Sequence, residues 1–99
     1  MNRALSMLGL CARAGKLLSG EKAVVNAVRT GAAYLVLLDE AASANAEKAI
    51  ADACSYYEIP LLRTEANALG DAIGKSGRMA VAVTDAGFAQ SILKKSAGM

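Results

Sequence analysis

With 99 residues, 55% of them hydrophobic but only one Phe, three Tyr and no Trp, the chain can form one domain, residues 1–99, around an aliphatic core without metal or disulfide. It has no histidine, which removes the usual general base and metal ligand near neutral pH, and its net charge of only +2 means that an anionic partner must be held by a local basic face. No apolar run approaches the roughly 18 residues of a membrane span, and Asn2-Arg3 leads into an amphipathic helix rather than a secretory signal, so a cytoplasmic protein with no membrane contact is expected.

Asn2 is placed to cap a first helix with Leu5, Leu8, Cys11 and Ala12 inward, Arg3, Ser6 and Arg13 outward, and Gly15 at its end. Lys16-Leu17-Leu18 reads as a short strand, and Ser19 or Gly20 starts a second helix that closes at Gly31. The apolar run from Ala33 to Leu38 predicts a strand covered on both faces. A third helix begins near Ser43, with Ala46, Ala49, Ile50, Ala53, Cys54 and Tyr57 as its inner stripe. Ile59-Pro60-Leu61-Leu62-Arg63 follows as a strand whose proline points to a sheet edge or a strand's first residues. Thr64 is expected to cap a fourth helix with Ala66, Leu69 and Ile73 inside and Gly74 at its end. After the basic loop Lys75-Ser76-Gly77-Arg78 comes a strand, Met79-Ala80-Val81-Ala82-Val83, and then a helix capped by Asp85 with Phe88, Ala89 and Ile92 inside. This alternation without a long loop spells an α/β fold, a three-layer α/β/α sandwich around a mixed sheet of about four strands. Cys11 and Cys54 lack CxxC spacing and read as small buried hydrophobes.

Catalytic motifs are thin. Between Gly9 and Gly15 stand five residues, one too many for a nucleotide phosphate loop, and Leu17 follows Lys16 where Ser or Thr is required. No GxGxxG marks a dinucleotide site. Asp39-Glu40 and Thr84-Asp85 lie where two strands meet helices, and are read as a favourable charge ahead of a helix N-terminus and as a helix cap. A pocket for a small molecule at Asp39, Arg63, Thr84 and Asp85 stays open as an alternative.

The charges, by contrast, are sorted. Residues 1–38 hold five basic side chains against one acidic, residues 39–73 two against seven, and residues 74–99 four against one, giving +4, −5 and +3. If the two ends of the chain meet, the molecule has a basic and an acidic face. Along the second helix, Lys22, Asn26 and Arg29 fall within about 60° of one another on the side opposite Val24, Ala27 and Val28. A glycine at the start of that helix leaves free N–H groups open at the positive end of its dipole, an arrangement suited to phosphate. With the 75–78 loop, this stripe forms a candidate groove in which Lys and Arg hold phosphates and Asn26 reaches base edges.

The segment Gly20-Glu21-Lys22-Ala23-Val24-Val25-Asn26-Ala27-Val28-Arg29-Thr30-Gly31 resembles the second helix of the ribosomal L-seven-Ae superfamily of kink-turn RNA-binding proteins. Leu69-Gly70, Ile73-Gly74 and the order of elements agree with it. Tyr34-Leu35-Val36-Leu37-Leu38, Cys54-Ser55-Tyr56-Tyr57 and Val83-Thr84-Asp85-Ala86-Gly87-Phe88-Ala89 are similar to its bacterial YlxQ-like branch. The resemblance spans nearly the whole chain. It implies a non-enzymatic protein without cofactors that binds structured RNA, ribosomal or kink-turn-containing, alongside ribosomal or transcription and translation proteins. Taken with the reading of the residues, it leads us to expect the backbone of Gly20, Glu21 and Lys22 at phosphate or base edges and Asn26 at a base or ribose. Lys16, Arg29, Lys75 and Arg78 fall to phosphates, and the loop of Lys75, Ser76, Gly77, Arg78 and Met79 to an extruded base. Lys22 and Ala23 stand at the family's Asn-Glu pair, and Asn26 at a lysine. The same scaffold serves elsewhere in the superfamily as a protein-interaction module, which is the alternative reading.

Overall fold

Why the sheet orders its strands as it does follows from burial. In the computed structural model, which describes residues 3–97, the elements run α1 (Arg3–Arg13), β1 (Leu17–Ser19), α2 (Glu21–Arg29), β2 (Leu35–Asp39), α3 (Ala44–Tyr57), β3 (Leu61–Thr64), α4 (Ala68–Ile73), β4 (Ala80–Val83) and α5 (Ala86–Ala97). The two strands that are buried throughout, β2 and β4, occupy the middle of a sheet ordered β1-β4-β2-β3, and the partly exposed β1 and β3 form its edges. β4 runs antiparallel to both neighbours, and β2 pairs parallel with β3. Pro60 stands just before the edge strand β3, where only its carbonyl is needed, and that carbonyl accepts from Val36 N–H at 3.0 Å.

Alternate residues of the central strands feed two aliphatic cores. Leu35, Leu37, Val81 and Val83 pack with Ala4, Leu8 and Cys11 of α1, Leu69 of α4, and Ala89 and Ile92 of α5. Val36, Leu38, Ala80 and Ala82 face Val24, Ala27 and Val28 of α2 and Ile50 and Cys54 of α3. These are the three layers expected. α1 and α4 approach closely because Gly9 has no side chain: a Cβ there would lie 3.2 Å from the carbonyl oxygen of Ala72. Among the described residues, no helix is long and apolar enough to cross a membrane. The cap expected of Asn2 lies outside the described residues.

Three expectations are corrected. The fourth helix does not start at Thr64, which instead ends β3 beside Asp39. The helix begins at Ala68, Asn67 before it is left-handed (φ 66°), and Ala66 is exposed. Tyr57 is not part of the inner stripe of α3; at 42% exposure it lies against Tyr56, ring centroids 4.8 Å apart, at the last residue of the helix. Tyr34 stays outside β2 at 48% exposure, and Asp39 joins the strand in its place.

Cys11 and Cys54 are free, buried and in separate cores on opposite faces of the sheet. Burial, and secondarily the charge of Asp85, pushes the Cys11 thiol from its ordinary 9.0 up to about 11, and burial raises Cys54 as well. A thiol that is harder to ionise when folded favours the unfolded chain once the unfolded thiol loses its proton. The stability that Cys11 contributes is therefore complete below pH 9 and is lost as pH rises through about 11. Urea midpoints measured from pH 8 to 11 should fall more steeply for the native chain than for Cys11→Ala.

Candidate nucleic-acid interface

Inserting β4 between β1 and β2 brings the start of α2 against the loop that precedes β4. The Gly20 N–H donates to Ala80 O at 3.0 Å, and Arg78 Nη1 lies 3.7 Å from where a Cβ on Gly20 would stand. Gly20 has φ 103° and ψ 146°, backbone open in practice only to glycine, and this turn aims the first N–H groups of α2 outward. No side chain caps them. They present the positive end of the helix dipole beside the Arg78 guanidinium.

From this point the outer face of α2 runs down the molecule. Lys22, Asn26 and Arg29 are exposed as the periodicity requires, while Ala23 is half-buried. Arg29 lies about 10 Å along the helix axis from Lys22 at 1.5 Å per residue. The helix ends where the Thr30 hydroxyl donates to Asn26 O at 2.9 Å and Gly31 turns the chain at φ 82°. The side chains of Lys22, Asn26, Arg29, Lys75 and Arg78 make no hydrogen bond or ion pair with any described residue, so their donors face solvent.

The second half of the site is the loop of residues 75–79. Gly74 ends α4 in a left-handed turn, Lys75 N–H returns to Gly70 O at 3.0 Å, and Gly77 reverses the chain at φ 82°. The loop lies directly on Gly70, where a Cβ would stand 2.9 Å from Lys75 O and 3.3 Å from Ser76 Cα. Met79 O then accepts from Asp39 N–H at 2.7 Å. Gly20, Glu21, Lys22, Lys75, Ser76, Gly77, Arg78 and Met79 are thus gathered at one end of the sheet. Lys16 is not. It stands at the other end of β1, where its carbonyl accepts from Thr84 N–H at 2.9 Å, level with the last turn of α2 rather than with Gly20.

The two ends of the chain do meet, since β1 pairs with β4 and α1 packs on α5. The basic segments therefore share the β1–β4 side, while the acidic segment forms α3, β3 and α4. Its two basic residues are engaged, Lys48 with Asp52 at 3.4 Å and Arg63 with Glu47. The strand-end carboxylates are also occupied. Asp85 Oδ2 accepts from Phe88 N–H at 2.9 Å and caps α5 as expected. Asp39 is 2% exposed and serves a helix N-terminus, but that of α4, not the neighbouring α3, which Ser43 caps by accepting from Ala46 N–H at 3.1 Å. No periodicity signals the part played by Asp39; the only trace is a lone acid closing an apolar strand.

Residues 2–93 match the Ribosomal protein L7Ae/L30e/S12e/Gadd45 family, and the chain belongs to that family. It is 48% identical over 88 residues, 88% of either chain, to a Bacillus subtilis protein named RNA-binding protein YlxQ. A protein of the same name from Enterococcus faecium is 36% identical over 89 residues, covering 89% of this chain and 85% of its own. Among solved structures, a Bacillus halodurans protein described as of unknown function superposes with a TM-score of 0.89 at 41% identity, over 95% of this chain and 96% of its own. A Giardia lamblia 15.5kD RNA binding protein shares the fold, with a TM-score of 0.74 at 21% identity over 96% of this chain and 86% of its own.

Gly20→Ala should cost about 1–3 kcal/mol of stability through backbone strain rather than collision, because the added methyl meets Arg78 only at ordinary contact distance. A denaturant titration checks this. An unchanged midpoint would mean the turn relaxes without loss.

Proposed function

We propose that residues 1–99 act as one non-enzymatic RNA-binding module of the cytoplasm. It recognises structured RNA, ribosomal or kink-turn-containing, through the β1–α2 turn, the outer face of α2 and the α4–β4 loop. The observation that carries this reading is the junction of an uncapped helix N-terminus with a basic loop at Gly20 and Arg78, bordered by Lys and Arg side chains with no partner among the described residues. Phosphates suit both parts: N–H groups at a helix start and unpaired cations bind them by hydrogen bonds and by release of counterions. The names of the two relatives as RNA-binding proteins support the same conclusion.

Within the site the roles divide by chemistry. The N–H groups at Glu21 and Lys22 meet phosphate or base edges. Asn26, which offers both a donor and an acceptor, meets a base or ribose hydroxyl. Lys75, Arg78 and Arg29 hold phosphates, with Arg29 and Lys16 serving RNA that extends down the β1 side. Half-buried Met79 and the backbone of Ser76 and Gly77 form a surface for an unstacked base. Ala23 has no acceptor for a sheared G·A pair, so discrimination among RNAs rests on the loop, Lys22 and Asn26. Ribosomal or transcription and translation proteins remain compatible partners at the acidic side, which this footprint leaves uncovered.

The test is binding to a short kink-turn RNA and to a plain duplex of equal length across a salt series. Preference for the kink-turn RNA that persists as salt rises supports the reading, and equal affinities that collapse together overturn its specific part. Lys22→Ala with Arg29→Ala should weaken binding and reduce the slope of log K against log salt by about 1.5, as expected for two lost phosphate contacts. The fold should survive, because both side chains are exposed.

A further inference from the structure

We infer that Asp39, buried away from solvent, is the positioning residue of the RNA interface and holds the α4–β4 loop from both of its ends. The inference rests on the reading of that loop as RNA-binding. Asp39 is the only buried charged side chain among the described residues. Its Oδ1 accepts from Ala41 N–H at 2.8 Å and Asn67 N–H at 2.9 Å, and its Oδ2 from Leu69 N–H at 3.2 Å and the Thr64 hydroxyl at 3.5 Å. An ionised carboxylate offers about four acceptor positions and no donor, which is what four converging donors require. No other side chain of comparable size meets that condition.

Two of these links reach α4, and α4 carries the loop. Leu69 lies in its first turn, and the next residue, Gly70, is the floor on which Lys75 and Ser76 rest, with Lys75 N–H bonded to Gly70 O. At the far end of the loop the Asp39 backbone N–H holds Met79 O. One residue thus sets where α4 begins through its carboxylate and where β4 begins through its amide. The late start of α4 and the left-handed turn at Asn67 follow from the same bonds, because Asn67 and Leu69 both direct N–H groups at one carboxylate. In Asp39→Asn an amide NH₂ replaces one oxygen and faces N–H donors, so the links to Asn67 and Leu69, made by different oxygens, can no longer both be held, while the bond to Met79 remains.

The experiment compares the native chain, Asp39→Asn, Lys75→Ala with Arg78→Ala, and the triple variant. It measures affinity for kink-turn RNA, the salt slope, and amide exchange in the RNA-free protein. Asp39→Asn should bind about tenfold more weakly, with a slope reduced by the loop's share, about 1.5. Adding the loop substitutions to it should cost little more, since both act through the same contacts. Exchange at Leu69 and Lys75 should accelerate while Leu37 and Val81 stay protected. Native affinity in Asp39→Asn, or losses that simply add, would overturn the proposal. If the native chain itself binds no RNA, the functional reading fails, and exchange at Lys75 still decides whether Asp39 holds the loop. If Asp39→Asn does not fold, Asp39→Ser keeps an oxygen for the turn to Ala41 but not for α4, and the same readouts apply. Unfolding of both variants would overturn the proposal, making Asp39 a residue of the fold alone.

Discussion

Everything at the candidate interface depends on the placement of β4 between β1 and β2. The strand is the last to be made, and it is antiparallel to both neighbours, so the last residue of β1, Ser19, pairs with Val81 and the next, Gly20, comes level with Ala80, where β4 begins. The Gly20 to Ala80 hydrogen bond is the local expression of that register. Shifting it by one residue would turn Val81 and Val83 out of one core and Ala80 and Ala82 out of the other, because side chains alternate along a strand. The two cores therefore fix the register, and the register brings the helix start and the basic loop together. The sheet thus joins the two halves into one candidate site.

The same topology accounts for the charge distribution. Segments 1–38 and 74–99 are joined by the β1–β4 pair and the α1–α5 contact, while α3, β3 and α4 lie toward the other edge. A chain of net charge +2 thus has a basic side and an acidic side, which orients an approaching polyanion without the cost of a strongly charged domain. The buried carboxylate of Asp39 lies where these sides meet and spends its charge on four internal donors, so it adds no repulsive surface next to the loop.

Much of this was legible in the sequence because its signals are local. Continuous apolar runs marked β2 and β4, helical spacing marked the inner faces of α2 and α3, and the capping residues Ser43 and Asp85 stood at the right positions. What escaped was non-local. Thr64 has the chemistry of a cap, yet β3 extends through it because Asp39 draws the following loop inward and delays α4. Tyr57 keeps the spacing of the inner stripe, but it is the last residue of α3 and is left exposed. Lys16 is close to Gly20 in sequence, and a short extended strand is enough to put the two at opposite ends of the sheet. In the candidate site, the α2 face was readable from periodicity alone. The contact of Arg78 with Gly20 and the seat of the loop on Gly70 required the strand order, which periodicity does not contain.

The most direct measurement is a titration of isotopically labelled protein with a short kink-turn RNA, following every backbone amide by NMR. The account predicts shifts concentrated at residues 20–29 and 75–79, with Tyr34 and Tyr57 at the other end of the sheet unchanged. Shifts centred on the tyrosine end or on α3, or none at any RNA concentration, would contradict it.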